Sequence, residues 1–153
     1  MADSSDIASA EPHVQPLQVL ADTNIVLDLF LKRDPWYTEA QPMWDERDAG
    51  HLFVYLAASV LTDIFYICRK QVGAEQARRI VDTCLHGFDI VPVDRSILET
   101  ALALPGSDFE DNVLVVCAQV ASLDLIITRN TADFRDSPIP AIAPTGLPSR
   151  LDT

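Results

Sequence analysis

Glycine, lysine, histidine and cysteine are all scarce in this chain, and each shortage removes a class of function. The five glycines stand at 50, 73, 87, 106 and 146. Spread that widely, they build neither a dinucleotide-binding fingerprint nor a P-loop, which cluster their glycines in one phosphate-cradling turn. No Gly-x-Ser-x-Gly occurs, so a serine hydrolase lacks its nucleophile elbow. Lysine is confined to Lys32 and Lys70, neither following a late strand-like segment. A phospho-acceptor domain would miss the positive point charge it needs beside the phosphoryl group. It would also miss a second acid two residues after Asp22. His13, His51 and His86 are too dispersed for a histidine-type metal site. Cys68, Cys84 and Cys117 are odd in number, far apart, and set in apolar stretches. Buried thiols in a reducing cytosol are the simplest account.

Long apolar runs are missing too. None reaches the ~20 residues that span a bilayer, so no membrane role is expected. The segment Met1 to Pro16 has no lysine or arginine and no apolar centre, which excludes a secretory signal. Its Ala, Ser, Asp and Pro content reads as a disordered tail. With 153 residues, 48% apolar and 22% charged, the rest suits one globular domain. The expected organisation is a tail over 1–16, a domain over 17–145 and a fraying tail over 146–153, located in the cytoplasm.

Negative charge is in excess. Twenty-three acids against 11 basic residues give a net charge of -12. Such a field repels nucleic acid. Only acids gathered around a cation, or a basic partner, would reverse it locally.

Strand-like and helix-like segments alternate. Leu17–Ala21 reads as a strand running into Asp22-Thr23-Asn24, and residues 25–31 as a helix. Residues 38–49 look like an exposed helix ended by Gly50. Strands follow at 52–56, 88–93 and 124–128, with a short edge strand at 139–142. Helices are predicted over 59–70, 74–86, 95–103 and 109–122, the third capped by Asp94. This alternation implies right-handed crossovers and a largely parallel sheet of four or five strands in a three-layer α/β/α fold. Ligands of such sheets bind beyond the carboxyl ends of the strands.

Acids collect there. Asp22 follows the first strand, and Asp133 follows the fourth by a short turn. Asp108 and Asp111 stand at the entrance of the helix before that strand. Asp63 lies one turn beyond Ser59, on the same helix face. Each has a plainer role available. Asp22 and Asp108 are good helix caps, Asp111 suits a helix N-terminus, and Asp133 suits a solvated turn. Together, however, converging carboxylates repel, and a hard divalent cation relieves them. Such an ion polarises a phosphate oxygen and activates a water for in-line attack.

Four motifs carry a resemblance. Ala-Asp22-Thr23-Asn24 follows a strand, and Ala-Ser59-x-x-x-Asp63-Ile lies on a helix. Asp108-Phe-Glu-Asp111-Asn begins a helix, and Ile-Thr128-Arg129-Asn130-x-x-Asp133-Phe134 follows a strand. In order and spacing, over residues 17–145, the chain resembles the PIN domain family. The resemblance implies an endoribonuclease dependent on Mg²⁺ or Mn²⁺, of the kind found as the toxin of toxin–antitoxin pairs (VapC-like). Asp22, Asp111 and Asp133 would hold the metal, with Asp63 as a further catalytic acid. Asn24, Thr128, Arg129 and Asn130 would support the site or the substrate. Members usually carry glutamate at the place of Asp63, and some an acid at that of Asn130. The products would be a 5′-phosphate and a 3′-hydroxyl. RNA is the implied substrate, an antitoxin and a second copy of the chain the implied partners. The alternative is an inactive PIN fold that only binds or scaffolds. Arg69, Lys70, Arg78 and Arg79 fit an RNA-facing patch or, more simply, a solvated helix face. Trp36 and Trp44 fit a partner surface or ordinary packing.

Overall fold

A computed structural model describes residues 15–106 and 108–151. The expected disordered segment, apart from residues 15 and 16, lies outside the described residues, as do Ser107 and residues 152–153. Five parallel strands form one sheet in the order β3-β2-β1-β4-β5. They are β1 (Leu17–Ala21), β2 (Leu52–Ala57), β3 (Asp89–Val91), β4 (Leu125–Ile127) and β5 (Ala141–Ile142). Helices α1 (Thr23–Phe30) and α2 (Trp36–Asp48) join β1 to β2, and α3 (Ala58–Val72) and α4 (Ala74–Gly87) join β2 to β3. Helices α5 (Arg95–Ala103) and α6 (Phe109–Val120) cross back from β3 to β4. The strand order proceeds outward one way from β1 through β2 and β3, and the other way through β4 and β5. With right-handed crossovers this puts helices on opposite faces and leaves a topological switch between β1 and β4.

The central strands are covered on both faces. Val19, Leu20 and Ala21 of β1 and all of β4 are buried. Their unbroken apolar runs are what a parallel sheet between two helical layers requires. Residue Ala21 pairs with Ile127, so the next residues, Asp22 and Thr128, leave the sheet side by side.

Two expectations are corrected. The segment 38–49 is not simply exposed, for Ala40, Met43 and Trp44 of α2 are buried. These lie three and four residues apart and form one apolar stripe on a helix whose composition is otherwise polar. Trp44 tilts against Phe88 at 5.9 Å between ring centroids, and Arg47 covers the same ring at 4.9 Å. The chain end does not fray at 146. Residues Leu147–Leu151 form a last short helix, α7, anchored by fully buried Leu147 and packed on α2.

Strand β3 is shorter than the apolar run around it, because Pro92 has no N–H to continue the ladder. All three cysteines are buried and free. Burial foremost pushes the Cys84 thiol up to about 12 and the Cys117 thiol up to about 11. Among the described residues no helix is long and apolar enough to cross a membrane.

One buried charge ties α1 to the loop after β4. Asp28 is 2% exposed. Its Oδ1 accepts from Arg33 Nε at 2.8 Å, and its Oδ2 stands 3.1 Å from Arg129 Nε, an ion pair without hydrogen-bond alignment. Burial raises the Asp28 carboxyl, and the two guanidiniums oppose that rise. Arg33 also donates to Asn24 Oδ1 at 3.1 Å, and Arg129 lies 3.8 Å from the centre of the Trp36 ring. Removing the carboxylate would leave two guanidiniums with no counter-charge. Asp28→Ala should therefore cost roughly 3 kcal/mol in urea unfolding. A change below ~0.5 kcal/mol, the level of an ordinary surface substitution, would contradict this role.

Candidate active site

Asp22 is the first residue beyond β1 and the N-cap of α1. Its extended backbone (φ -68, ψ 157) turns the carboxylate toward the new helix, where Oδ1 accepts from Thr23 N–H at 2.7 Å. Its Oδ2 accepts from the Thr128 hydroxyl at 2.9 Å. Thr128 is fully buried, and its Oγ1 accepts in turn from Asn130 N–H at 3.1 Å. A relay thus runs from the turn after β4 into Asp22. The cap reading and the site reading of Asp22 describe the same side chain. Burial raises its pKa, against the pull of the Thr128 and Thr23 hydrogen bonds.

The N-terminus of α6 is built around Asp108, whose Oδ1 accepts from Asp111 N–H at 3.0 Å. Asp111 then projects from the first turn. A helix N-terminus favours a carboxylate, yet Asp111 is pushed up to about 6 by burial first, then by Asp108, Asp22, Asp133 and Glu110. The loop before α6 is held by Asn112, whose Nδ2 donates to Ala101 O and Gly106 O, both at 3.2 Å. A side chain at Gly106 would overlap Asn112 Oδ1 and force that amide to shift.

Two clefts meet at Asp111. One, of about 280 Å³, is lined by Asp22, Thr23, Ser59, Asp63, Glu110 and Asp111 among others. The second, about 530 Å³, is lined by Asp108, Asp111, Asp133, Arg135 and Asp136 together with Gly106 and its neighbours. Asp22, Asp63 and Asp111 thus share one cleft, and Asp111 and Asp133 share the other. Asn24 turns away to Arg33, and Arg129 lines a separate hollow with Asp28 and Trp36. Asn130 enters the site through its backbone N–H. Trp44 is packed in the core, while Trp36 lies against Arg129. In the basic helix patch, Arg79 pairs with Glu75 at 2.7 Å, and Arg69 lies over Tyr66.

Glu110 lies inside the Asp108-to-Asp111 motif, and sequence alone assigns it no role. Its carboxyl is raised, by Asp63 foremost. Residues one apart on a helix do not share a face, and this is why Glu110 faces Asp63 while its neighbour Asp111 also borders Asp133. The pattern is visible only once both clefts are known.

The donors are all hard oxygens under mutual repulsion, which suits a divalent cation that keeps several waters. Among the described residues no three acids are gathered closely enough to ligate one ion directly. Water-bridged binding at an open mouth is consistent with that spacing.

The sequence from 18 to 132 matches the family model described as PIN domain. No curated protein matches the chain. Among solved structures, a chain of a toxin–antitoxin complex from Klebsiella pneumoniae is 26% identical with a TM-score of 0.62, covering 82% of this chain and 97% of that one. A chain of DNA-bound VapBC from Salmonella typhimurium is 14% identical with a TM-score of 0.63, covering 84% and 98%. A sarcin–ricin loop cleaving VapC toxin of Mycobacterium tuberculosis is 15% identical with a TM-score of 0.58, covering 71% and 86%. The acids at the strand ends, the five-stranded parallel sheet and the matched span agree, and this chain belongs to the PIN domain family.

Proposed function

We propose that the chain is a toxin-type endoribonuclease that depends on Mg²⁺ or Mn²⁺ and acts in the cytoplasm. The observation that carries this is the crowding of Asp22, Asp63, Glu110 and Asp111 in one cleft at the β1/β4 switch, with the Asp111 carboxyl held up to about 6. Asp22, Asp111 and Asp133 would hold the ion. When bound, it polarises a phosphate oxygen and eases ionisation of the attacking water. Asp63 supports the site and helps activate that water. The water oxygen bonds to phosphorus, the bond to the 3′ oxygen breaks, and that oxygen takes a proton. A 5′-phosphate and a 3′-hydroxyl result. Thr23, Thr128 and the Asn130 backbone hold Asp22 in place, while Asn24 and Arg129 brace the site from behind through Arg33 and Asp28.

An antitoxin partner is supported by the Klebsiella neighbour, a member of a toxin–antitoxin complex. A basic partner would also offset the net charge of -12. Homodimerisation is supported by exposed apolar side chains beside the first cleft. Leu98 and Phe109 line it, and Leu102, one turn along α5, is 75% exposed. Leu102→Glu should convert a dimer to a monomer in sedimentation. A native chain that sediments as a monomer would remove the dimer from the reading.

A second reading is a PIN fold that binds without cutting. The observation favouring it is the lack, among the described residues, of three acids close enough to ligate one ion together. Cleavage of an end-labelled stem-loop RNA with Mn²⁺ or Mg²⁺ separates the two. The native chain should cut, EDTA should stop it, and Asp22→Asn should lose roughly a hundredfold or more, since each ~1.4 kcal/mol of lost stabilisation is tenfold. Folded, partner-free protein that cuts under neither metal would favour the binding-only reading.

The raised Asp111 carboxyl gives a pH signature. Its folded pKa lies above the ordinary 3.8, at about 6. Its ionised form is therefore disfavoured by folding. Stability is highest below the ordinary value and is lost as pH rises through about 6. In EDTA, Asp111→Asn should raise Tm at alkaline pH, and the gain should disappear at acid pH. Added Mn²⁺ should raise Tm of the native chain above about pH 6, and much less below it or in the variant. A Mn²⁺ effect independent of pH and of residue 111 would argue against Asp111 as a ligand.

A further inference from the structure

The motif arginine is not free to meet the substrate. Arg129 is occupied by Asp28 on one side and by the Trp36 ring at 3.8 Å on the other. Of the basic residues of α3 and α4, Arg79 pairs with Glu75 and Arg69 lies over Tyr66, and neither these nor Lys70 and Arg78 line either cleft. A chain of net charge -12 that cuts RNA still needs a cation where the polyanion enters. Among the described residues lining the larger cleft, Arg135 is the one base amid Asp108, Asp111, Asp133 and Asp136.

Its placement is specific. Arg135 closes the tight helical turn Thr131–Phe134 that follows β4, directly after the Asp133-Phe134 pair. Its Nε donates to Ala132 O at 3.2 Å, which aims the guanidinium. Among the described residues it makes no ion pair, although four carboxylates line the same cleft. A guanidinium with one donor used keeps its terminal nitrogens for a forked pair of hydrogen bonds, the geometry that fits a phosphate.

We infer that Arg135 grips a backbone phosphate of the RNA next to the scissile bond, making it the substrate-positioning cation that Arg129 is not. The inference rests on the ribonuclease reading of the same site. It assigns the Arg135 side of the larger cleft to the RNA backbone and leaves the junction of the two clefts at Asp111, between Asp22 and Asp133, to the chemistry. The contact is to phosphate, so it carries no base preference.

The test uses the full chain with Asp22→Asn, which on the ribonuclease reading should hold RNA without cutting it. Binding of a fluorescein-labelled pool of short random-sequence RNA is followed by anisotropy in Mg²⁺ between about 50 and 200 mM salt. Adding Arg135→Gln should weaken binding several-fold and flatten the log–log salt slope by about 0.7, the value for one phosphate contact on a single strand. Arg135→Lys should keep the slope and recover part of the affinity. Arg129→Gln should leave the slope unchanged. In the cutting-competent chain, Arg135→Gln should raise KM and leave kcat within about twofold, as expected for loss of uniform binding. Arg135 is exposed and bonded only to its own turn, so CD and Tm should not move.

An unchanged slope in Arg135→Gln, or a flattened slope in Arg129→Gln instead, overturns the assignment while cutting by the native chain leaves the ribonuclease reading intact. A native chain that neither binds nor cuts RNA overturns both.

Discussion

The pairing of β1 with β4 is the constraint on which the site depends. Its register is pinned at both ends by side chains as well as by the ladder. At the start, Asp124 Oδ2 accepts from Gln18 N–H at 2.9 Å, and Asp124 N–H donates to Gln18 O at 2.8 Å. At the finish, Asp22 N–H donates to Ile127 O at 2.9 Å, and the Thr128 hydroxyl closes onto Asp22 Oδ2. A slip of one residue would swap the side chains that the strands offer to the two helical layers. It would also part Asp22 from Thr128. The apolar drive that sets this register is therefore the same drive that positions the first acid of the site.

From that fixed point the electrostatics follow. The loop around Gly106 and Asn112 delivers Asp111 toward Asp22, and α3 delivers Asp63 from the other side. Among the described residues that line the smaller cleft there is no base, and Arg129, the nearest motif cation, pairs with Asp28. Burial first and then the neighbouring acids raise the Asp111 carboxyl, while at Glu110 repulsion from Asp63 leads. Folding tolerates the strain because the hydrophobic core is extensive and the acids sit at its edge, where water still reaches some of them. A cation at such a place does two things at once: it relieves the repulsion, and it turns an anion-repelling mouth into one that can admit phosphate.

Much of this was legible in the sequence. Alternating apolar runs gave the parallel sheet, and the acids that follow strands gave the end of the sheet at which a site would form. The Asp94 and Asp108 caps were readable from their position before apolar helices, and both accept the backbone N–H expected of a cap. The misses have physical causes. The stripe of Ala40, Met43 and Trp44 is diluted by polar neighbours, and one buried leucine, Leu147, suffices to hold a short terminal helix that composition does not announce. Glu110 escaped because its neighbour Asp63, far away in sequence, meets it only across the smaller cleft.

Arg129 is the more instructive case. A motif fixes where a backbone position lies, here directly after Thr128, but its side chain can choose among whatever charges the fold brings within reach. Asp28 lies inside α1 and reads in sequence as one polar residue in an apolar helix. Once buried it demands compensation, because an unpaired carboxylate in that setting is far costlier than a paired one. Arg33 meets part of the demand, and Arg129 stacks on Trp36 and meets the rest. The requirement of the core thus outranks the requirement of the mouth. On the ribonuclease reading, a cation that faces RNA has to come from a side chain the core does not need, and the exposed turn after Asp133 carries such a side chain in Arg135.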